Sequence, residues 1–213
     1  MDLLSIAVYI FILLFSVIFH EVAHGLMAER LGDPTARYAG RLTLNPIPHI
    51  DLFGSILLPA FLLLVHSPII FGSAKPVPVD YRNLRNLKWD MILVAFAGVF
   101  TNFVLALVAA IVYRLTPNLS SLGQHLLIQT MLLNLVLCFF NLVPIPPLDG
   151  SKILAALLGY INRGWMYALL SYERYGFFIL IICLYLGVIE YVILPPVTFF
   201  LKIFLGPSVP LGF

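Results

Sequence analysis

Charge is scarce in this chain. Asp, Glu, Lys and Arg make up 10% of its 213 residues, against about 25% in soluble domains. That scarcity excludes an ordinary soluble fold, and no stretch is long and polar enough to form a separate soluble domain. Only two cysteines occur, Cys138 and Cys183, both in apolar runs. They argue against a disulfide framework and against a thiolate zinc site. The opening Met1-Asp2-Leu3-Leu4 lacks the basic residues of a signal peptide. A net charge of +2 gives no reason to expect a nucleic-acid partner. What is abundant is hydrocarbon: 62% of residues are hydrophobic and mean hydropathy is +1.03. The class implied is an all-α membrane protein, a polytopic helix bundle in the lipid bilayer. Residues 1–213 are expected to form one integral-membrane domain.

Five apolar segments follow one another: Leu3 to Met27, Leu52 to Phe71, Met91 to Tyr113, Leu126 to Val143, and Phe177 to Leu194. A bilayer core of ~30 Å needs ~20 helical residues, so each spans or nearly spans it. Pro195-Pro196 is expected to stop the fifth, leaving 197–205 as a short interfacial tail. Basic residues set the sidedness. Arg30, Arg37 and Arg41 follow the first segment, and Lys75, Arg82, Arg85 and Lys88 precede the third. Both clusters belong in the cytoplasm, so 52–71 must enter and leave from one side. Pro59 and Pro68 suit such a re-entrant hairpin. The expectation is four spanning helices plus one re-entrant segment, with both termini outside and oligomeric state open. Arg41-Leu42-Thr43-Leu44 alternates like a short strand, and Ala74 to Val79 reads as extended because Pro76 and Pro78 preclude a helix interior.

The chemistry concentrates in His20-Glu21-Val22-Ala23-His24, which ends a run that carries no charge from Leu3 to Phe19. Ionisable groups at that depth are expensive and need a reason. On a helix, residues four apart share a face, so both imidazoles can reach one metal ion. Zinc takes such nitrogen ligands, and Glu21 beside the first can act as general base toward water. A pattern with three fixed positions also arises by chance, and a lone histidine is usually a packed core residue. Three ionisable groups crowding one uncharged span tip the balance toward a metal. Two ligands need a third, and Asp149 is the best candidate, after the proline-broken end of the fourth segment. A plain helix-capping role for Asp149 is compatible with ligation.

Three motifs in order resemble the site-2 protease family of intramembrane zinc metalloproteases. They are HExxH at 20–24, AGxxxN from Ala97 to Asn102, and NxxPxPxLDG from Asn141 to Gly150. The loop motifs GDPTARYAGRLTLNPIPHID and GSAKPVPV add to the resemblance, which covers about residues 15–155. It implies one Zn2+ held by His20, His24 and Asp149, with Glu21 as base. The implied activity is endopeptidase cleavage in or near transmembrane segments of substrate proteins. Asn141 is then associated with substrate binding or oxyanion support, with Asn102 as a further candidate. Val99 stands where the family usually has proline, and no PDZ-type module is present.

Cooler expectations attach to the rest. Asn102 is as much a helix-packing amide as a site residue. His49 and Asp51 order their loop, His66 packs in the hairpin, and His125 lies in an outer loop. The segments 41–44 and 74–79 could hold an unwound substrate by strand addition. Two rivals use the same His and Asp residues: a metal-transport protein, and a catalytically silent adaptor for transmembrane partners.

Overall fold

The architecture comes from a computed structural model, which describes residues 3–51 and 74–206 and, between them, positions 54, 57 and 64. The expected re-entrant hairpin and His66 fall largely outside the described residues. Helices α1 (Leu3–Arg30), α2 (Thr35–Tyr38), α3 (Leu87–Leu115) and α4 (Ser121–Leu142) come first. Then follow α5 (Asp149–Ile161), α6 (Arg163–Ser171), α7 (Glu173–Tyr185) and α8 (Val188–Leu205).

Among the described residues, α1, α3 and α4 are each long and apolar enough to cross a bilayer, and α6 with α7 adds a fourth if that bent pair is one span. Their outer surfaces carry Phe11, Phe100, Ile111 and other large apolar side chains exposed. A soluble protein would bury such area. This is a helical membrane protein.

The helix ends follow local chemistry. Gly32, at φ 114°, ends α1, and the N–H of Asp33 closes back onto the carbonyl of Ala28. Asn86 caps α3 by accepting from the Trp89 N–H, while Asp90 accepts from the Asn86 N–H at 2.7 Å. This reciprocal box is worth about 1 kcal/mol. Asp33 ties the two polar loops together: it accepts from Thr35, from Asn83 Nδ2 and from the Asp80 N–H. Burial raises the pKa of its carboxyl, but those donors outweigh burial and hold it below the ordinary value.

Helix α3 is the centre of the bundle. It packs on α1, α4 and α5. Its buried stripe runs Met91, Val94, Ala95, Gly98, Asn102, Ala106, Ala109 and Ala110, the spacing of one helix face. The small residues let neighbours approach closely. Ala106, Ala109 and Ala110 share a core with Met131 and Leu135 of α4 and Val197, Leu201 and Phe204 of α8.

The C-terminal part departs from expectation. The helix of the fifth segment ends earlier, at Tyr185, and Gly187 turns the chain at φ 69°. Helix α8 then runs through Pro195 and Pro196 to Leu205. The prolines do not stop it, and 197–205 is the second half of a packed helix. Ile193, Val197, Leu201 and Phe204 are buried at helical spacing. Their packing outweighs two missing amide donors, as happens where neighbouring helices support the backbone. Arg114, at the far end of α3, donates to the carbonyls of Phe204 and Ile203 at the end of α8.

No strand occurs among the described residues. Segment 74–80 has no regular secondary structure and pairs with no strand among the described residues. Arg41 takes the carbonyls of Lys75 and Pro76, and the Lys75 N–H goes to the His49 carbonyl.

Candidate active site

The last turns of α1 present His20 and His24 one above the other, with ring centroids 4.5 Å apart and nearly perpendicular. Both lie against Gly98 of α3. A Cβ there would stand 2.5 Å from His24 Nε2 and 2.7 Å from His20 Cε1. The glycine of the AGxxxN motif is therefore the space in which the imidazoles sit.

Asp149 arrives from the other side. It opens α5, directly after the proline-rich turn. A side chain on Gly150 would collide with the backbone of Leu142 and Val143. The start of α5 is thus pressed onto the end of α4, which fixes Asp149 in position. Asp149 Oδ2 lies 3.0 Å from His20 Nε2 and 3.1 Å from His24 Nε2, and the two Nε2 atoms are 2.9 Å apart. All three residues are buried. Asp149 caps nothing: Oδ1 faces Lys152 Nζ at 3.4 Å, and no side chain caps α5.

The hydrogen bonding says what this cluster requires. The Nδ1 of His24 is 2.6 Å from the carbonyl oxygen of Val94. A carbonyl only accepts, so Nδ1 donates. In the neutral ring Nε2 is then a bare acceptor, and it faces a carboxylate oxygen. Two acceptors at 3.1 Å in a buried site need a proton or a metal ion between them. Two imidazole nitrogens and one carboxylate oxygen are a donor set that zinc accepts, with one position left open. The residues present fit the metal. Among the described residues, this is the one group of three or more such side chains whose ligand atoms converge.

Glu21 points into a cavity of about 550 Å³ that His20, His24, Asn141, Asp149, Lys152 and Glu173 also line. Its Oε2 accepts from the Val77 N–H at 2.7 Å, and Oε1 has no partner among the described residues. Asn141, on the last turn of α4, donates from Nδ2 to the Leu137 carbonyl and keeps the rest of its carboxamide on the cavity wall. Asn102 is not on that wall. It is fully buried behind His20, with Oδ1 2.6 Å from His20 Nδ1.

His49 is buried, with Nε2 2.8 Å from the Thr43 carbonyl, and the Gly54 N–H donates to Asp51. Both order their loop. The proposed strand edge is half used: Lys75 and the Val77 N–H are taken, while the Val79 N–H and the Val77 carbonyl find no partner among the described residues. Sequence reasoning missed Gly98, Lys152 and Asn134. A glycine one turn before Asn102 and an amide, Asn134, within the apolar run of α4 were the available signals.

Membrane-grade helices and a buried cluster suited to a metal, beside the Glu21 carboxylate in a cleft, define the class as a membrane metallopeptidase. A family model described as Peptidase family M50 matches residues 118–184. A relative from Bacillus subtilis, "Putative zinc metalloprotease YwhC", is 36% identical over 204 residues, which cover 90% of this chain and 87% of the relative. "Zinc metalloprotease MJ0392" of Methanocaldococcus jannaschii is 28% identical over 158 residues, 72% of this chain but 36% of that protein. The chain belongs to Peptidase family M50, the site-2 protease family. No solved structure matches it.

Proposed function

We propose that the chain is an intramembrane zinc endopeptidase. A single membrane domain hydrolyses peptide bonds in or near the transmembrane segments of other proteins. The observation that carries this reading is the buried convergence of His20 Nε2, His24 Nε2 and Asp149 Oδ2, all within 3.1 Å of one another. The relatives' names as zinc metalloproteases support it. His20 and His24 would hold zinc through Nε2, and Asp149 through Oδ2. When bound, zinc supplies a Lewis acid that lowers the pKa of water toward ~7 and polarises a carbonyl.

The chain's own groups do the rest. The Val77 N–H fixes one oxygen of Glu21 and leaves the other for the proton. Glu21 takes that proton from the attacking water and delivers it to the leaving amide nitrogen. Asn141 has a second N–H to offer the substrate or the oxygen where charge develops. Lys152 holds the outer oxygen of Asp149. Basic residues from Arg30 to Arg41 and from Lys75 to Lys88 gather at the site end of α1 and α3. The site therefore faces the cytoplasm, and the far ends of α1 and α8 face the opposite side.

The test uses purified full-length protein and a labelled transmembrane substrate, with and without chelator, in wild type and Glu21→Gln. Wild type should cleave, chelator should stop it, and Glu21→Gln should keep zinc yet lose cleavage. Full activity in that variant would remove Glu21 from the mechanism. Metal flux into vesicles without cleavage would replace the protease with a transporter.

A further inference from the structure

We infer that Asn134 and Ser16, acting through Asn102, form a buried positioning relay that selects the tautomer of His20. The inference rests on the reading that His20 holds zinc. Ser16 lies on α1, Asn102 on α3 and Asn134 on α4. Both asparagines are 0% exposed and Ser16 is 4% exposed.

A carboxamide can face either way until its partners decide. Here the partners at the remote end decide. One amide atom of Asn134 lies 2.9 Å from the Thr130 carbonyl, which only accepts. That atom is therefore Nδ2, and its other hydrogen goes to Ser16 Oγ at 2.9 Å. Asn134 Oδ1 is left to accept, and it does so from Asn102 Nδ2 at 2.9 Å. The second hydrogen of Asn102 goes to the backbone carbonyl of Ser16 at 3.2 Å. Two backbone carbonyls thus orient both carboxamides.

Asn102 Oδ1 then faces His20 Nδ1 at 2.6 Å, so Nδ1 carries the proton. Nε2 becomes a bare lone pair aimed where His24 Nε2 and Asp149 Oδ2 meet. Without the relay, His20 could protonate Nε2 and donate it to Asp149 at 3.0 Å, which would close the ligand position. All four amide hydrogens of the two asparagines are used. Loss of one member strands another polar group in an apolar bundle, so the set acts together. Asn134 and Ser16 touch neither His24 nor the cavity. Their effect passes through the Nδ1–H of His20, as outer partners of metal-binding histidines act generally.

The test measures zinc affinity of the full chain by chelator competition, with the cobalt(II) absorption spectrum as a second readout. His20→Ala should bind zinc far more weakly. Wild-type affinity in that variant would defeat the zinc reading of His20 itself. Given that loss, folded Asn134→Leu should bind zinc about 10–100-fold more weakly, with shifted cobalt bands. Wild-type affinity with unshifted bands there overturns the relay. Should Asn134→Leu fail to fold, ¹⁵N NMR of His20 in the wild-type chain decides. A protonated Nδ1 and bare Nε2 before zinc is added is the expected result, and a protonated Nε2 overturns the inference.

Discussion

Gly98→Ala probes the metal site through a residue that is not itself a ligand. The added Cβ would stand 2.5 Å from His24 Nε2, 2.6 Å from its Cε1 and 2.7 Å from His20 Cε1. Ordinary contact begins near 3.4 Å, so the His24 ring must retreat by roughly 0.9 Å, the difference between 3.4 and 2.5. Metal–ligand distances tolerate about ±0.2 Å. The ring cannot retreat freely, because its Nδ1 is tied to the Val94 carbonyl. Overpacking of this kind costs about 1–3 kcal/mol, which is about 5- to 150-fold in zinc affinity. Helix propensity works the other way: alanine is better than glycine by about 0.8–1.0 kcal/mol inside a helix. Zinc affinity by chelator competition should therefore fall, while the propensity gain offsets part of the overpacking cost and limits the loss of stability of the metal-free protein to about 2 kcal/mol or less. Wild-type zinc affinity in Gly98→Ala would refute the claim that the imidazoles occupy the space of the missing Cβ.

Other expectations follow from the same geometry. Asp149→Ala removes one of three converging ligands and should weaken zinc by at least about 10–100-fold, the range seen for loss of mere supporting groups; unchanged metal content would point to another third ligand. Arg41→Met frees the carbonyls of Lys75 and Pro76 and so loosens the segment whose Val77 N–H holds Glu21. Proteolysis should drop while zinc content stays at the wild-type level, and equal loss of both would contradict that division of roles. Asp33 has a depressed pKa in the folded chain, so its contribution to stability is present above the ordinary value of 3.8 and is lost as pH falls below it. Asp33→Asn should therefore lower stability at pH 7 and flatten the acid limb of the unfolding curve. An unchanged acid limb would show that the Asp33 contacts to Asn83 and Asp80 are not what acid breaks.

Much of the site was legible because hydrocarbon makes polar residues conspicuous. His20, Glu21 and His24 end an uncharged run, and Asp149 follows a proline break, so each announced itself. Their convergence depends on α3, whose Gly98 and Val94 carbonyl act through a missing side chain and a backbone atom. The Val94 carbonyl has no sequence signature, and the AGxxxN motif shows Gly98 without showing what fills its space. Pro195 and Pro196 misled for the opposite reason. Local propensity favours a stop there, but buried Ile193, Val197, Leu201 and Phe204 carry the helix through, and such packing is a tertiary fact. The absence of a helix at 74–80 was legible from Pro76 and Pro78. The partner of that segment was not, because Arg41, rather than a strand, takes the carbonyls of Lys75 and Pro76.

Zinc-edge X-ray absorption on the purified full chain, with metal content determined on the same sample, addresses the convergence of the three ligands most directly. One zinc per chain, surrounded by two imidazoles and at least one oxygen at about 2.0–2.2 Å, is the predicted result. A zinc ion with a single imidazole, with sulfur neighbours, or with the same surroundings in Asp149→Ala would contradict it.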